Sequence, residues 1–218
     1  LFIGAWRKKL LKQAQTLKKR EIPLPDLTHA QVRNSVIILM FLVFSKNFYT
    51  AGISNYFQFY TIKTFGFTNA QAQLYLFYYL GAAAAGTLIG GFFGDRVGRK
   101  FIIWFSILGA APFALWLPYA DAKTTAVLVV LIGFIISSAF ASILVYAQEL
   151  LPKKIGMISG VFYGFAFGMA GLGSAVLGKL IDMTSITFVY KVCSFLPLMG
   201  LTAYFLPNLR KVKTKLSE

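Results

Sequence analysis

The chain has little of what most protein chemistry needs. Among its 218 residues stand one cysteine, one histidine and seven acids. A single Cys193 excludes an internal disulfide and any cysteine-built zinc site. His29, the lone histidine, falls in a hydrophilic leader, away from any cluster of metal ligands. No nucleophile stands in a pattern with a base, and no glycine loop has phosphate-binding spacing, so the chain does not read as an enzyme and no cofactor is expected. Charge itself is scarce: 13% of residues carry it, against about 25% in soluble domains. In its place the chain is 57% hydrophobic and 17% aromatic, with several apolar runs of 18 residues or more. Helices of that length cross a hydrocarbon core of about 30 Å. None of the runs alternates with period two, as a membrane β-barrel strand would. The expectation is an all-α membrane protein with several spans.

The chain opens on LFIGAW, apolar before its basic residues begin, the reverse of a secretory signal. That stretch reads as the end of a preceding helix, and the chain as a fragment of something longer. Residues 7 to 33 are polar and strongly basic, stiffened by Pro23 and Pro25. Six spans follow within residues 34–207: Asn34 to Ile62, Asn69 to Phe93, Phe101 to Tyr119, Thr124 to Leu150, Gly156 to Ile181 and Thr187 to Leu206. Residues 208–218 form a basic tail.

Lysine and arginine sort by side. With the leader in the cytoplasm, that side holds eight basic residues of the leader and three of the second-to-third connector. Two more lie in the fourth-to-fifth connector and four in the tail, 17 of the 22 in all. The other side keeps Lys63, Lys123, Lys179 and Lys191. This is the positive-inside pattern, and it places leader and tail in the cytoplasm of a multi-pass protein of the cell inner membrane. The net charge of +15 is then topogenic and needs no nucleic acid to explain it.

A repeat lies in the glycines. Gly81, Gly86, Gly91 and Asp95 recur 87 residues later as Gly168, Gly173, Gly178 and Asp182, so spans one to three echo spans four to six. Because three is odd, the second copy is inverted, a plan recurrent in secondary transporters. Two ladders at spacing four, Ala82-Gly86-Gly90-Gly94 and Gly156-Gly160-Gly164-Gly168, are expected to let helix backbones approach closely. Pro112 and Pro197 are expected to kink spans three and six.

One charge stands where it should not. Lys46 lies about 18 Å into the first span, where a lysine costs roughly 2.5 to 3.5 kcal/mol on insertion scales. Asn47, Thr50, Ser54 and Gln58 advance by three, four and four residues and give the same helix a polar stripe that Lys46 borders. Two roles stay open. Lys46 is structural, pairing with carbonyls or an acid elsewhere, or it meets an anionic substrate or a proton-sensitive partner. Tyr146 and Glu149, with Gln148, end the fourth span before Pro152. Glu149 serves proton exit, or pairs with Lys153 or Arg99. Tyr75, Tyr78 and Tyr79 are weaker pocket candidates.

The most specific string is GGFFGDRVGRK, residues 90–100. It resembles the signature G-x-x-x-D-R-x-G-R-K between the second and third helices of each half of the major facilitator superfamily, here Gly91, Asp95, Arg96, Gly98, Arg99 and Lys100. The resemblance implies that these residues form a conformational latch on the cytoplasmic side. VFSKNFY (43–49), ILVYAQELLP (143–152), GMISGVFYGFAFGMAGLGSAVLG (156–178) and FVYKVCSFLPLMG (188–200) narrow it to the fosmidomycin-resistance proteins. It covers nearly all of residues 34–207 and implies the carboxy-terminal six helices of a twelve-helix fold. The implied activity is proton-coupled efflux of small drugs such as fosmidomycin. The implied partners are the lipid bilayer, an amino-terminal six-helix half, a small-molecule substrate and protons. A truncated scaffold, or a carrier of another small metabolite, is the alternative.

Overall fold

The computed structural model describes residues 27–207 and 209. The expected helix end at LFIGAW, most of the basic leader and the tail beyond lie outside the described residues. Within them the chain is helical, with no strand among the described residues. Helix α1 runs His29–Phe65, α2 Asn69–Val97 and α3 Arg99–Trp116, the last extended by a 3-10 turn to Tyr119. The fourth span is α4, Ala122–Ser137, followed by α5, Ala139–Leu150. A 3-10 turn at Pro152–Lys154 leads to α6, Ile155–Met183, and the sixth span is α7, Ile186–Cys193, continued as 3-10 helix over Leu196–Phe205. Six of these units are long and apolar enough to cross a membrane.

The helix ends follow from local chemistry. α1 begins at His29, five residues before the apolar run, because Thr28 and Gln31 form a reciprocal capping box. Thr68 and Gln71 repeat that box at the start of α2. Gly66 closes α1 in the left-handed region at φ 67°, where a glycine carries no steric cost. Gly98, at φ 113°, makes the corner between α2 and α3. α3 runs on through Pro112, whereas α7 has ended before Pro197, which sits in the first turn of the 3-10 stretch. The fourth span breaks at Ser138 with neither proline nor glycine there. Ser138 donates back to the Ile135 carbonyl at 2.7 Å and shares a hydrogen bond with Ser106 of α3. Such back-bonding serines bend helices.

The packing carries the inverted repeat. α2 lies on α4, and α6 lies on α1. Exchanging first with fourth span and second with fifth maps one contact onto the other. Gly86 abuts Phe134 of α4, and its repeat mate Gly173 abuts Phe48 of α1 at 3.3 Å. Their neighbours Gly81 and Gly168 both face nothing within 4 Å.

The apolar core has two lobes. One, at the end carrying Arg99, Lys100 and Lys153, gathers Leu39, Leu42, Ile103, Ile143, Phe162 and Leu206. The other, at the far end, gathers Tyr49, Phe57, Tyr79, Leu117, Ile132 and Tyr190. Along α1 the first lobe ends at Val43 and the second begins at Tyr49. Lys46 sits at that waist.

Candidate functional site

Lys46 lies about 26 Å from the start of a helix about 55 Å long. Its helix face is the buried one: Leu39, Leu42, Val43, Ile53 and Phe57, which share it, are each 1% exposed or less. Lys46 itself is 7% exposed and is the one charged side chain found buried among the described residues. Its ammonium lies 4.9 Å from the ring centroid of Phe140, on α5. No carboxylate among the described residues pairs with it. An aromatic face attracts a cation electrostatically, and more strongly when both are out of water. The arrangement thus sets an ammonium at mid-depth against a ring quadrupole, with no carboxylate paired to it among the described residues.

The expected polar stripe is less uniform than its spacing. Asn47 turns its amide onto the Val43 carbonyl of its own helix at 2.9 Å. The Thr50 hydroxyl is buried beside the Tyr79 hydroxyl of α2. Ser54 and Gln58 are half-buried. Lys46 and Thr50 therefore face the bundle interior, while Asn47, Ser54 and Gln58 flank it. The most exposed polar group on α1 at this depth is one the spacing did not single out. Asn55 donates at 2.7 Å to Ser174 of α6 and at 3.0 Å to the Ala51 carbonyl, which joins α1 to α6.

Tyr146 and Glu149 belong elsewhere. They lie about 9 to 14 Å further along α5 than Phe140, at the basic end. Glu149 forms an ion pair with Arg99, the two side chains 23% and 21% exposed. Of the two partners left open from sequence, Arg99 is the one engaged, so Glu149 joins the signature string and not Lys46. Tyr146 donates at 2.6 Å to the Pro207 carbonyl and ties the exit of the sixth span to α5. Lys100 does the same from α3, donating at 2.8 Å to the Tyr204 carbonyl. Arg96 lays its guanidinium 4.2 Å from the Phe92 ring centroid. Gly91 is half-buried, 3.8 Å from Ala141 where its side chain would be, and Gly98 makes the turn. The Asp95 side chain lies outside what is described. The candidates thus divide into a mid-depth cation under an aromatic ring, and a clamp at the basic end joining α3, α5 and the end of the sixth span. No group of histidine, cysteine or acid residues suited to a metal ion occurs among the described residues.

Comparison with known families decides the class. The model of the Major Facilitator Superfamily matches residues 36–218. The chain belongs to the Major Facilitator Superfamily. It is 56% identical over 201 residues to the fosmidomycin resistance protein of Escherichia coli K12, a match covering 90% of this chain and 50% of that protein. That places it in the fosmidomycin-resistance branch of the superfamily. An uncharacterized MFS-type transporter of Bacillus subtilis, YfnC, is 41% identical over 74% of this chain and 39% of its own length. The cis,cis-muconate transport protein of Acinetobacter baylyi is 25% identical over 79% of this chain and 42% of its own. The chain therefore spans about half, or somewhat less, of the curated relatives it matches. No solved structure matches significantly. The six-helix, inverted-repeat bundle is accordingly half of a major facilitator fold, with six units long and apolar enough to cross a membrane.

Proposed function

We propose that this chain is the carboxy-terminal half of a proton-coupled antiporter that expels small organic anions, fosmidomycin among them. In this reading residues 1–33 are the end of a preceding helix and the central loop, and leader and tail lie in the cytoplasm. The observation that carries the reading is Lys46: a buried mid-depth cation with no acid against it among the described residues. Buried intramembrane charges pair or mark a substrate or ion path. Fosmidomycin is a phosphonate, and an anion complements this ammonium. Asn47, Thr50, Ser54 and Gln58 flank the anion's path. The clamp of Arg99 with Glu149, with Tyr146, Lys100, Arg96, Gly91, Gly98 and Asp95 around it, acts as the latch that holds one access state closed. Support for an amino-terminal half comes from α6, whose ladder Gly156-Gly160-Gly164-Gly168 faces nothing within 4 Å.

Fosmidomycin tolerance of a sensitive host carrying the full-length transporter, beside its Lys46→Ala variant at equal membrane expression, tests this. The parent should raise tolerance, and the variant should lose at least ten-fold of it. Tolerance retained by the variant removes Lys46 from the substrate path. No tolerance from a well-inserted parent removes the drug.

A further inference from the structure

Phe140 has contacts on two sides. One face of its ring carries the Lys46 ammonium. On another side Tyr163 of α6 meets it edge-on at 5.5 Å, and Tyr163 in turn stacks on Phe167 at 6.4 Å. Tyr163 is 42% exposed and Phe167 74% exposed, both on the face of α6 that no described helix covers. The ring of Phe140 therefore stands between the buried cation and the open face of the bundle. It is also placed to move. Phe140 is the second residue past the break at Ser138, and the segment it rides rests on glycine. A side chain added at Gly90 would overlap the Cα and Cβ of Ser138, so at that point α2 meets the break at backbone distance, with Thr87 of α2 donating to the Ser137 carbonyl beside it at 3.5 Å. With glycine at the contact, no side chain at position 90 has to change rotamer for the segment to shift.

We propose that Phe140 is a movable cover over Lys46: ring in place, the ammonium is shut away from the open face, and ring displaced, it is presented to an anion arriving there. The inference rests on the reading of Lys46 as an anion-binding group and adds the residue that controls access to it. The cover serves two ends. While no anion is bound it supplies the ammonium with a favourable neighbour, and it keeps water from the charge. When an anion arrives, the stronger charge-charge attraction replaces the ring contact, so opening is driven by the ligand and not by inorganic solvent. Substrate entry and exposure of Lys46 are then one event.

Labelling of lysines with acetic anhydride, a small neutral reagent, followed by mass spectrometry, reads the cover directly in the detergent-solubilised full-length transporter. In the parent, Lys46 should acetylate at least ten-fold more slowly than the exposed Lys63 at the end of the same helix. Phe140→Ala should raise the Lys46 rate at least ten-fold and Phe140→Leu at least three-fold, while Phe140→Trp stays within two-fold of the parent. Cys193, buried in the far lobe, should resist a maleimide in each sample, which shows the bundle intact; if Phe140→Ala releases Cys193 as well, Phe140→Leu carries the comparison. A parent Lys46 as reactive as Lys63, or Phe140 variants that leave it as slow as the parent, overturns the cover. Saturating fosmidomycin added to the uncovered variant separates the two readings. Slowed labelling of Lys46 supports both, and unchanged labelling removes the anion while the cover stands.

Discussion

Replacing one glycine by alanine in each ladder separates two kinds of helix face that look alike in sequence. At Gly86 an added Cβ would lie 2.8 Å from the Cα and the carbonyl carbon of Phe134, and closer still to its carbonyl oxygen. Those are backbone atoms of α4 and cannot rotate away, so α2 and α4 must separate along their shared seam. Overpacking of this sort costs about 1–3 kcal/mol. Here it also loosens the neighbouring seats of Gly90 on Ser138 and Gly94 on Ser142, which places the cost at the upper end. Alanine regains about 1 kcal/mol of helix propensity. The net loss is about 2 kcal/mol, or a melting temperature lowered by about 4–8 °C for a chain of this size. At Gly160 nothing lies within 4 Å of the new methyl. Only the propensity gain remains, so Gly160→Ala in the 218-residue chain should raise its melting temperature by about 2–4 °C. The assay is thermal unfolding in detergent with a thiol-reactive fluorogenic dye, since Cys193 is the only thiol and is 7% exposed in the fold. In a full-length transporter, where the other half is proposed to lie over the α6 ladder, Gly160→Ala should instead lower the midpoint. A Gly86→Ala chain that melts with the parent, or a Gly160→Ala chain that falls as far as Gly86→Ala, would refute the argument from contact geometry.

Two buried tyrosines should respond oppositely to loss of their hydroxyls. Tyr190 donates at 3.0 Å to the Gly52 carbonyl, and Tyr190→Phe should cost about 1 kcal/mol, whereas the Tyr49 hydroxyl has no hydrogen-bond partner among the described residues, so Tyr49→Phe should be neutral or stabilising by up to about 1 kcal/mol. Melting temperatures in the reverse order would defeat this. The Arg99–Glu149 pair is about one-fifth exposed at each end and should show a coupling of about 1 kcal/mol in a double-mutant cycle of Arg99→Gln with Glu149→Gln. A coupling indistinguishable from zero would make the clamp a geometric coincidence.

The spans were legible because each is an apolar run longer than a bilayer core, and the largest shift of an end, at the start of α1, came where polar chemistry intervened. Thr28 and Gln31 carry α1 into the leader because a capping box is made from polar residues that a hydropathy reading discards. The break at Ser138 was not legible. It depends on Ser106, distant in sequence, and serines are common in membrane helices without consequence. Lys46 announced itself, since one charge in an apolar segment is costly wherever it points. Phe140 did not, being one aromatic among 22 phenylalanines whose role appears only when α5 is laid against α1. For Glu149 the sequence offered proton exit or an ion pair with Lys153 or Arg99, and the fold pairs it with Arg99, its neighbour in space.

The glycine ladders carry this furthest. Spacing four says that a helix has a smooth face; it does not say what the face meets. Around Gly86, Gly90 and Gly94 that face meets α4 and α5 so closely that a single methyl would collide at each step, and the repeat places Gly173 and Gly178 against α1, chiefly against the side chains of Phe48 and Tyr56. Around Gly156, Gly160, Gly164 and Gly168 the described chain offers no neighbour. A smooth helix face confers close approach only if another helix comes to it, and in lipid alone it would forgo packing that larger side chains supply. The repeat therefore divides its glycines between two duties. One set holds the six-helix unit together internally. The other gives α6 an open seam beside the ring stack of Tyr163 and Phe167, so the surface proposed to receive a second half and the proposed cover of Lys46 lie on the same face of the described bundle.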